Sequence, residues 1–590
     1  IMQFTNEQTA ILNNNASMVV NAVAGSGKTA TLIAYAQQVP SSKKILYIAF
    51  NKSVKQEAEK AFQEKSIYHV QVETAHSLAF KKVVAGTNLT LKNGDYKPAE
   101  IVALFQLKGY AEKHAEYIIA THVLKFASFF CNSSVAKIAD LDYLSIINND
   151  AAIEFVIANL AEITKLTRLF LYKMHCGEIA VTHDFYLKKW QLTNPVLPFQ
   201  YILFDEAQDA SAVMLSVVLQ QQAIKIMVGD KHQQIYGWRF ANNALQSVPF
   251  PEFPLSKSFR FPNAIAQLAE QILFWKSKML TYQPTHISGL AKAGTITTVA
   301  VIGRTNLGLL LKAISYLEEN KHIERIYFEG NIQSYTYASE GASVYDILNL
   351  QNGETDKIRD SFLKSMKTIA NLEEYIDCTE DVSLSMMLEM VKLYGNKIPK
   401  LIQSLKAKHV ATTEKHTAEV IFSTVHKCKG LEYDAVILAN DFINEEKIDG
   451  LYKKGETTTQ TINQLLEEIN LLYVAVTRCK SRLIIPKSLL PKGYKYGSCI
   501  EVIDDTLPAK DNVTKKFKQN TDTVIPKAYS VVEKRVHFKE AYQKWDADAD
   551  KKLKEMFEKG VPIKEIAAYF KRTNGAIFAR VKKLGLYSES

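Results

Sequence analysis

Ala22-Val23-Ala24-Gly25-Ser26-Gly27-Lys28-Thr29 has the residue types and spacing of a phosphate-binding loop, except that Ala22 stands where the pattern has its first glycine. Gly25 and Gly27 let backbone amides turn towards phosphate oxygens, and the helix that follows directs its positive N-terminus at them. Lys28 can reach the outer phosphates and the Thr29 hydroxyl can ligate Mg²⁺. A second set, Asp205-Glu206-Ala207-Gln208-Asp209, follows the apolar run 201–204. A carboxylate at the end of a buried strand can hold the same Mg²⁺, so Asp205 is the expected ligand beside Thr29. Glu206 is then placed to accept a proton from attacking water. A third set begins at Gly229-Asp230 and runs through Gln233, Tyr236, Trp238 and Arg239. There Gln233 is the expected γ-phosphate sensor, Tyr236 and Trp238 offer faces for stacked bases, and Arg239 offers a phosphate contact. Stacking of that kind contributes about 1–3 kcal/mol per base and tolerates any sequence.

These groups need a scaffold that brings them together. Runs 17–23, 44–50, 201–204 and 224–228 read as strands, and 31–39 as the helix after the loop. Strands alternating with helices imply a parallel sheet covered on both faces. Residues 85–165 read as a helical insertion, and a proline-rich turn at 249–254 reads as a boundary. A second α/β unit is expected beyond it, with strands at 296–301, 323–328, 418–422 and 435–438 and a helical insertion at 345–411. The polar, lysine-rich stretch 501–540 suits a linker.

At 590 residues the chain is too long for one core and is expected to hold several compact units. Hydrophobic and charged fractions of 47% and 23% place it among ordinary soluble proteins. The net charge of +10 leans towards a polyanionic partner. Six scattered cysteines form no CxxC pair, so reduced thiols are expected rather than disulfides or a structural metal. Neither a signal pattern nor a run long enough to span a membrane is legible, and a cytoplasmic location is expected, nucleoid-associated if the source is bacterial.

A phosphate loop with Asp-Glu implies nucleotide hydrolysis but leaves kinases, transporters and motors open. The ordered motifs from 3 to 485 narrow this, because together they resemble the UvrD/Rep/PcrA group of superfamily 1 helicases. Phe4-Thr5-Asn6-Glu7-Gln8 resembles the group's Q motif, which implies that Gln8 reads the adenine edge. The resemblance likewise implies that Ala24, Gly25, Ser26, Gly27, Lys28 and Thr29 hold the nucleotide. Phe50-Asn51-Lys52 and Thr74-Ala75-His76-Ser77 resemble DNA-contacting motifs, implying that Asn51, Lys52 and His76 touch the strand. In Leu255-Ser256-Lys257-Ser258-Phe259-Arg260, Phe259 would stack on adenine and Arg260 would reach the γ-phosphate. Arg304-Thr305-Asn306 resembles a further DNA element, which brings in Arg304 and Asn306. Thr424 to Glu432 resembles the motif that couples DNA to nucleotide, with His426 on the DNA side and Glu432 near the ribose. Tyr473-Val474-Ala475-Val476-Thr477-Arg478 resembles the motif whose arginine acts as a finger. Phe240, after Arg239, departs from the small residue usual there.

The fold so implied is α/β, with two RecA-like P-loop NTPase domains bearing helical insertions and a small all-α C-terminal domain. The first RecA-like domain is expected at 1–84 and 166–250, and the second at 251–344 and 412–500. The expected activity is ATP- and Mg²⁺-dependent movement 3′ to 5′ on single-stranded DNA with unwinding of duplexes or forks, in repair, recombination or replication. The alternative is a DNA-stimulated ATPase that remodels protein–DNA complexes with little unwinding. The short core is similar to the helicase part of the eukaryotic F-box DNA helicases. Residues 541–590 have the apolar spacing of a three-helix unit resembling a helix-turn-helix module, which is expected to carry Arg580, Lys582 and Lys583 towards phosphates or to bind a protein partner. A monomer is expected.

Overall fold

The computed structural model describes residues 3–108, 114–237, 245, 248–336, 343–453 and 459–504. Towards the C-terminus it describes 547–559, 561, 563–570, 577, 580, 581 and 584. The described residues form fourteen strands: β1 Met18–Ala22, β2 Ile45–Ala49, β3 Val70–Thr74, β4 Tyr201–Phe204, β5 Ile224–Gly229, β6 Glu252–Leu255, β7 Lys257–Ser258, β8 Ser288–Gly289, β9 Val299–Gly303, β10 Ile326–Phe328, β11 Val420–Thr424, β12 Tyr433–Leu438, β13 Cys479–Pro486 and β14 Ile500–Ile503. They build two six-stranded sheets, ordered β3-β2-β4-β5-β1-β6 and β10-β11-β9-β12-β13-β14, plus the small pair β7-β8. Every pairing in the two large sheets is parallel. Helices on both faces explain why β2, β11 and β12 are buried at every position and read as unbroken apolar runs.

Strand order does the positioning. β4, β5 and β1 are neighbours, and being parallel they end on one edge. The phosphate loop, Asp205-Glu206 and Asp230 follow those three strands and are therefore adjacent, as expected where ligands bind beyond the carboxyl ends of an open sheet. In the second sheet Glu432 and Arg478 immediately precede the neighbouring strands β12 and β13, so they share the opposite, N-terminal edge.

The stretch 249–254, expected as a turn, contributes most of β6, which pairs with β1 and extends the first sheet. Pro254 is tolerated there because β6 is an edge strand, where one amide need not join a ladder. Helices dominate both expected insertions. Asp150–Cys176 runs unbroken for 27 residues past position 165, capped by Asn149 and ended by Gly177 in the left-handed region. The second insertion carries five α-helices from Val344–Gln351 to Ile398–Lys408. The insertions touch each other. Glu380 accepts hydrogen bonds from the Asn148 and Asn149 amides (both 2.6 Å) and pairs with Lys125 (2.6 Å). Buried His122 contacts the Cys378 carbonyl at 3.1 Å, and burial lowers its pKa to about 4, keeping it neutral.

Near the C-terminus, helices Ala547–Glu558 and Ile563–Phe570 bury Leu553, Ile566 and Ala567 with Ile577 and Val581. Arg580, expected to face phosphates, forms a forked ion pair with Asp550 in this structure. The turn 571–576, Lys582, Lys583 and the stretch 505–546 lie outside the described residues. No described helix is long and apolar enough to cross a membrane.

Candidate nucleotide site and its link to an aromatic cluster

Gly25 and Gly27 both adopt positive φ (+73° and +80°), which glycine reaches without strain. Close approach adds a second constraint. A Cβ on Gly25 would stand 2.5 Å from Arg260 Cβ, and one on Gly27 would stand 3.4 Å from Gln8 Nε2 and 4.0 Å from the Phe259 ring. Gln8, Gly27 and Phe259 are thereby brought together, with the Phe259 ring half exposed. Gln8 is fixed at both ends of its amide, accepting from the Thr5 amide (2.9 Å) and donating to Thr31 Oγ1 (3.1 Å). The Ala24 amide lies 3.5 Å from the Tyr473 hydroxyl, and Thr29 is exposed on the first turn of the helix Lys28–Gln38. Ser26 Oγ is buried without a hydrogen-bond partner among the described residues. An orphaned hydroxyl beside two left-handed glycines is the donor set that a bound phosphate would satisfy.

Lys28 Nζ donates to Glu206 at 2.7 Å. Burial works against the Lys28 charge, but the Glu206 and Asp205 carboxylates outweigh it and hold its pKa above 10.5. Burial likewise opposes the Glu206 charge, yet Lys28 and Lys429 bring its pKa down to about 2. Asp205 moves the other way, raised by burial and by the adjacent Glu206. Its Oδ2 accepts from the Tyr47 hydroxyl at 2.6 Å and its Oδ1 from the Glu206 amide at 2.9 Å. Gln208 fixes the far oxygen of Glu206 at 2.6 Å.

Two arginines come from outside the first sheet, Arg260 just after β7 and Arg478 just before β13 of the second sheet. Arg260 pairs with Glu432 at 2.8 Å and donates to the Thr477 carbonyl. Arg478 is buried, donating to the Val474 and Leu431 carbonyls at 3.1 and 3.2 Å, with Nη2 3.5 Å from Gln233 Oε1. Burial, with the neighbouring Arg260 charge, lowers its pKa to about 10, so it stays protonated at neutral pH. Gln233 therefore meets Arg478 on one side, while its Nε2 donates to Asp230 at 2.8 Å.

Three residues on, Tyr236 stacks on Phe50 (centroids 5.7 Å apart, 21° between planes) and lies against His426. Lys429 sits 4.9 Å over the Tyr236 ring, donates to the Gln233 carbonyl at 2.6 Å and pairs with Asp209. This aromatic cluster thus joins Phe50 from beyond β2 to His426 from beyond β11. Other residues expected at DNA are occupied locally or lie apart. Asn51 caps the helix Lys52–Glu64, with Lys52 exposed beside it. His76 packs edge-on to His183 and Tyr186. Arg304 is held by Glu468 through bonds of 2.5–3.0 Å, and Asn306 opens the helix Asn306–Glu319. Trp238 and Arg239 lie outside the described residues.

Sequence reasoning assigned no role to Lys429, Asp209, Tyr47 or Tyr473. Lys429 and Asp209 lie inside motifs already picked out, so a charged residue next to known site residues was the available signal. Tyr473, whose hydroxyl bonds Asp230, likewise opens a motif already picked out, whereas Tyr47, whose hydroxyl bonds Asp205, carries no such signal because it sits in an apolar run.

The family described as the UvrD-like helicase C-terminal domain matches residues 96–489. An F-box DNA helicase 1 from Gallus gallus is 29% identical over 519 residues, covering 83% of this chain and 49% of the relative. An F-box DNA helicase protein 1 from Schizosaccharomyces pombe is 27% identical over 534 residues, covering 82% of this chain and 57% of the relative. The chain thus spans about half the length of the curated relatives it matches. With more than half of its residues inside that family's match, the chain belongs to the UvrD-like helicases.

Proposed function

We propose that the chain is an ATP-driven DNA helicase that moves 3′ to 5′ on single-stranded DNA, built on two RecA-like domains with helical insertions and an all-α C-terminal module. The observation that carries the reading is the loop 230–236. Its Gln233 meets Arg478 beside the Lys28–Glu206 pair, and its Tyr236 belongs to an aromatic cluster three residues away. One short segment therefore touches both the nucleotide pocket and a surface suited to bases.

In this reading the amides of Ala24 to Thr29 and the Lys28 ammonium hold the phosphates, while Gln8, Phe259 and Glu432 face the nucleoside. Thr29 and Asp205 are the groups suited to Mg²⁺, which would neutralise charge between the outer phosphates. Lys28 must leave Glu206 to bind phosphate, and the same separation frees Glu206 to take a proton from water. Arg260 and Arg478 stabilise charge on the transferred group from across the cleft. Bases are gripped by Tyr236 and Trp238, with Asn51, Lys52, His76, Arg239, Arg304, Asn306 and His426 along the strand. Arg304 joins it by exchanging Glu468 for phosphate. Residues 541–590 would contact duplex or fork DNA, or a protein partner.

The test is ATP hydrolysis with and without single-stranded DNA, followed by unwinding of duplexes with a 3′ or a 5′ tail. Stimulated hydrolysis with unwinding from the 3′ tail supports the proposal. Stimulated hydrolysis with unwinding of neither substrate assigns the chain to remodelling of protein–DNA complexes instead.

A further inference from the structure

Loop 230–236 follows β5 of the first sheet, yet most of its anchors come from beyond residue 270. The Tyr473 hydroxyl bonds Asp230 (2.8 Å), Lys429 bonds the Gln233 carbonyl, and His426 Nε2 lies 3.1 Å from the Ile235 carbonyl. Ile235 is fully buried in the apolar cluster of the second sheet, among residues such as Leu472 and Val436. A loop that carries a nucleotide contact and a base-stacking ring is thus fastened to the part of the molecule across the cleft.

Two further fastenings, at His232 and Gln234, converge on a buried lysine to which neither the family motifs nor the proposed mechanism gives a role. Lys276 lies in the short turn Trp275–Lys278, just after the helix Asn263–Phe274, and is 6% exposed. Its Nζ is 2.8 Å from His232 Nδ1 and 2.6 Å from Asn470 Oδ1. The Asn470 amide in turn donates to the Gln234 carbonyl at 2.9 Å. Because Nδ1 faces an amine donor, the His232 proton belongs on Nε2, which is 2.7 Å from Thr285 Oγ1. Burial and the Lys276 charge keep His232 neutral, as this arrangement needs. Gln233 is thus flanked on both sides by residues that Lys276 fixes, His232 directly and Gln234 through Asn470.

Among the described residues the hydrogen-bond partners of Lys276 are neutral, which makes its burial costly. Its desolvation outweighs the attraction of nearby Asp230 and brings its pKa down to about 7. A methionine would fill the same space without that cost, so the interaction needs a reason other than packing.

We propose that Lys276 is a positioning residue for hydrolysis, holding His232 and Asn470 so that Gln233 stays against Arg478 as the cleft works. The inference rests on the helicase reading above. The test uses full-length Lys276→Met, which removes both bonds at similar volume, and Asn470→Asp, which keeps the acceptor for Lys276 but puts a carboxylate oxygen against the Gln234 carbonyl. Steady-state ATP hydrolysis is measured with saturating oligo-dT, alongside binding of a fluorescent ADP analogue and thermal melting. A small misplacement of a catalytic group can cost on the order of 100-fold, so kcat should fall by roughly 30-fold or more in both variants, with KM for ATP and ADP affinity within about 3-fold of wild type. If Lys276→Met fails to fold, Asn470→Asp carries the same expectation. Wild-type kcat in the folded variants, with only the melting temperature moved, overturns the inference and leaves the helicase reading standing. A wild-type chain without DNA-stimulated hydrolysis overturns that reading, and the inference with it.

Discussion

Replacing Arg478 with alanine removes a guanidinium whose orientation is set before substrate arrives. Two backbone carbonyls, Val474 and Leu431, hold its Nε and Nη1 at 3.1 and 3.2 Å, and Nη2 lies 3.5 Å from both Gln233 Oε1 and Thr477 Oγ1. A cation fixed in this way, buried and still protonated, stabilises charge in a transition state without first reorganising. Arginines in this role contribute about 10³–10⁵ in rate. Because Arg478 already shares donors with protein acceptors, the lower end is expected, about 10³-fold in kcat or about 4 kcal/mol. Nucleotide affinity should change much less, since Gly25, Gly27 and Lys28 follow a strand of the other sheet. The assay is steady-state hydrolysis with saturating oligo-dT, paired with equilibrium binding of a fluorescent ADP analogue to confirm that the pocket is intact. An Arg478→Ala enzyme with kcat within about five-fold of wild type would refute the two-sided site.

Two further outcomes follow from the electrostatics. Burial pushes the Asp209 carboxyl up to about 6 despite its pairing with Lys429. Below that pH it takes a proton and the pair is lost, so DNA-stimulated hydrolysis should fall on the acid side with a midpoint near 6, and Asp209→Asn should give a low rate with no such midpoint. Folding has the opposite sign, because a raised carboxyl pKa favours the native state as the pH drops below it. Glu380→Ala should loosen the contact between the two helical insertions. Losing charge-assisted bonds to the Asn148 and Asn149 amides costs about 2–4 kcal/mol locally, so amide hydrogen exchange at 150–156 should quicken at least about 10-fold, and unchanged protection would exclude the latch.

Much of the scaffold was legible because parallel strands buried on both faces appear as continuous apolar runs. Residues 201–204 and 224–228 were found almost to the residue. β6 was not, since Pro254 and exposed Glu252 make an edge strand resemble a turn. β3 was missed for a related reason, as its outer half is only partly buried. At the candidate site, short motifs singled out Lys28, Asp205, Glu206, Gln233 and Arg478 because their spacing is local. Pairings made across hundreds of residues left no such trace. Arg304 with Glu468, Glu380 with the Asn148 and Asn149 amides, and Lys276 with His232 each depend on how distant elements pack. The family resemblance implied DNA contact for Arg304 without its Glu468 partner, and nothing in the sequence gave Lys276 a role.

If loop 230–236 links the nucleotide pocket to the DNA-gripping surface, that linkage must appear in equilibrium binding. The affinity of the full chain for oligo-dT should be measured alone, with a non-hydrolysable ATP analogue and with ADP. A loop shared by both sites predicts a difference of at least about five-fold between the ATP-like and ADP states, a coupling of about 1 kcal/mol, which Tyr236→Ala should reduce. Identical DNA affinity in all three states would contradict the account.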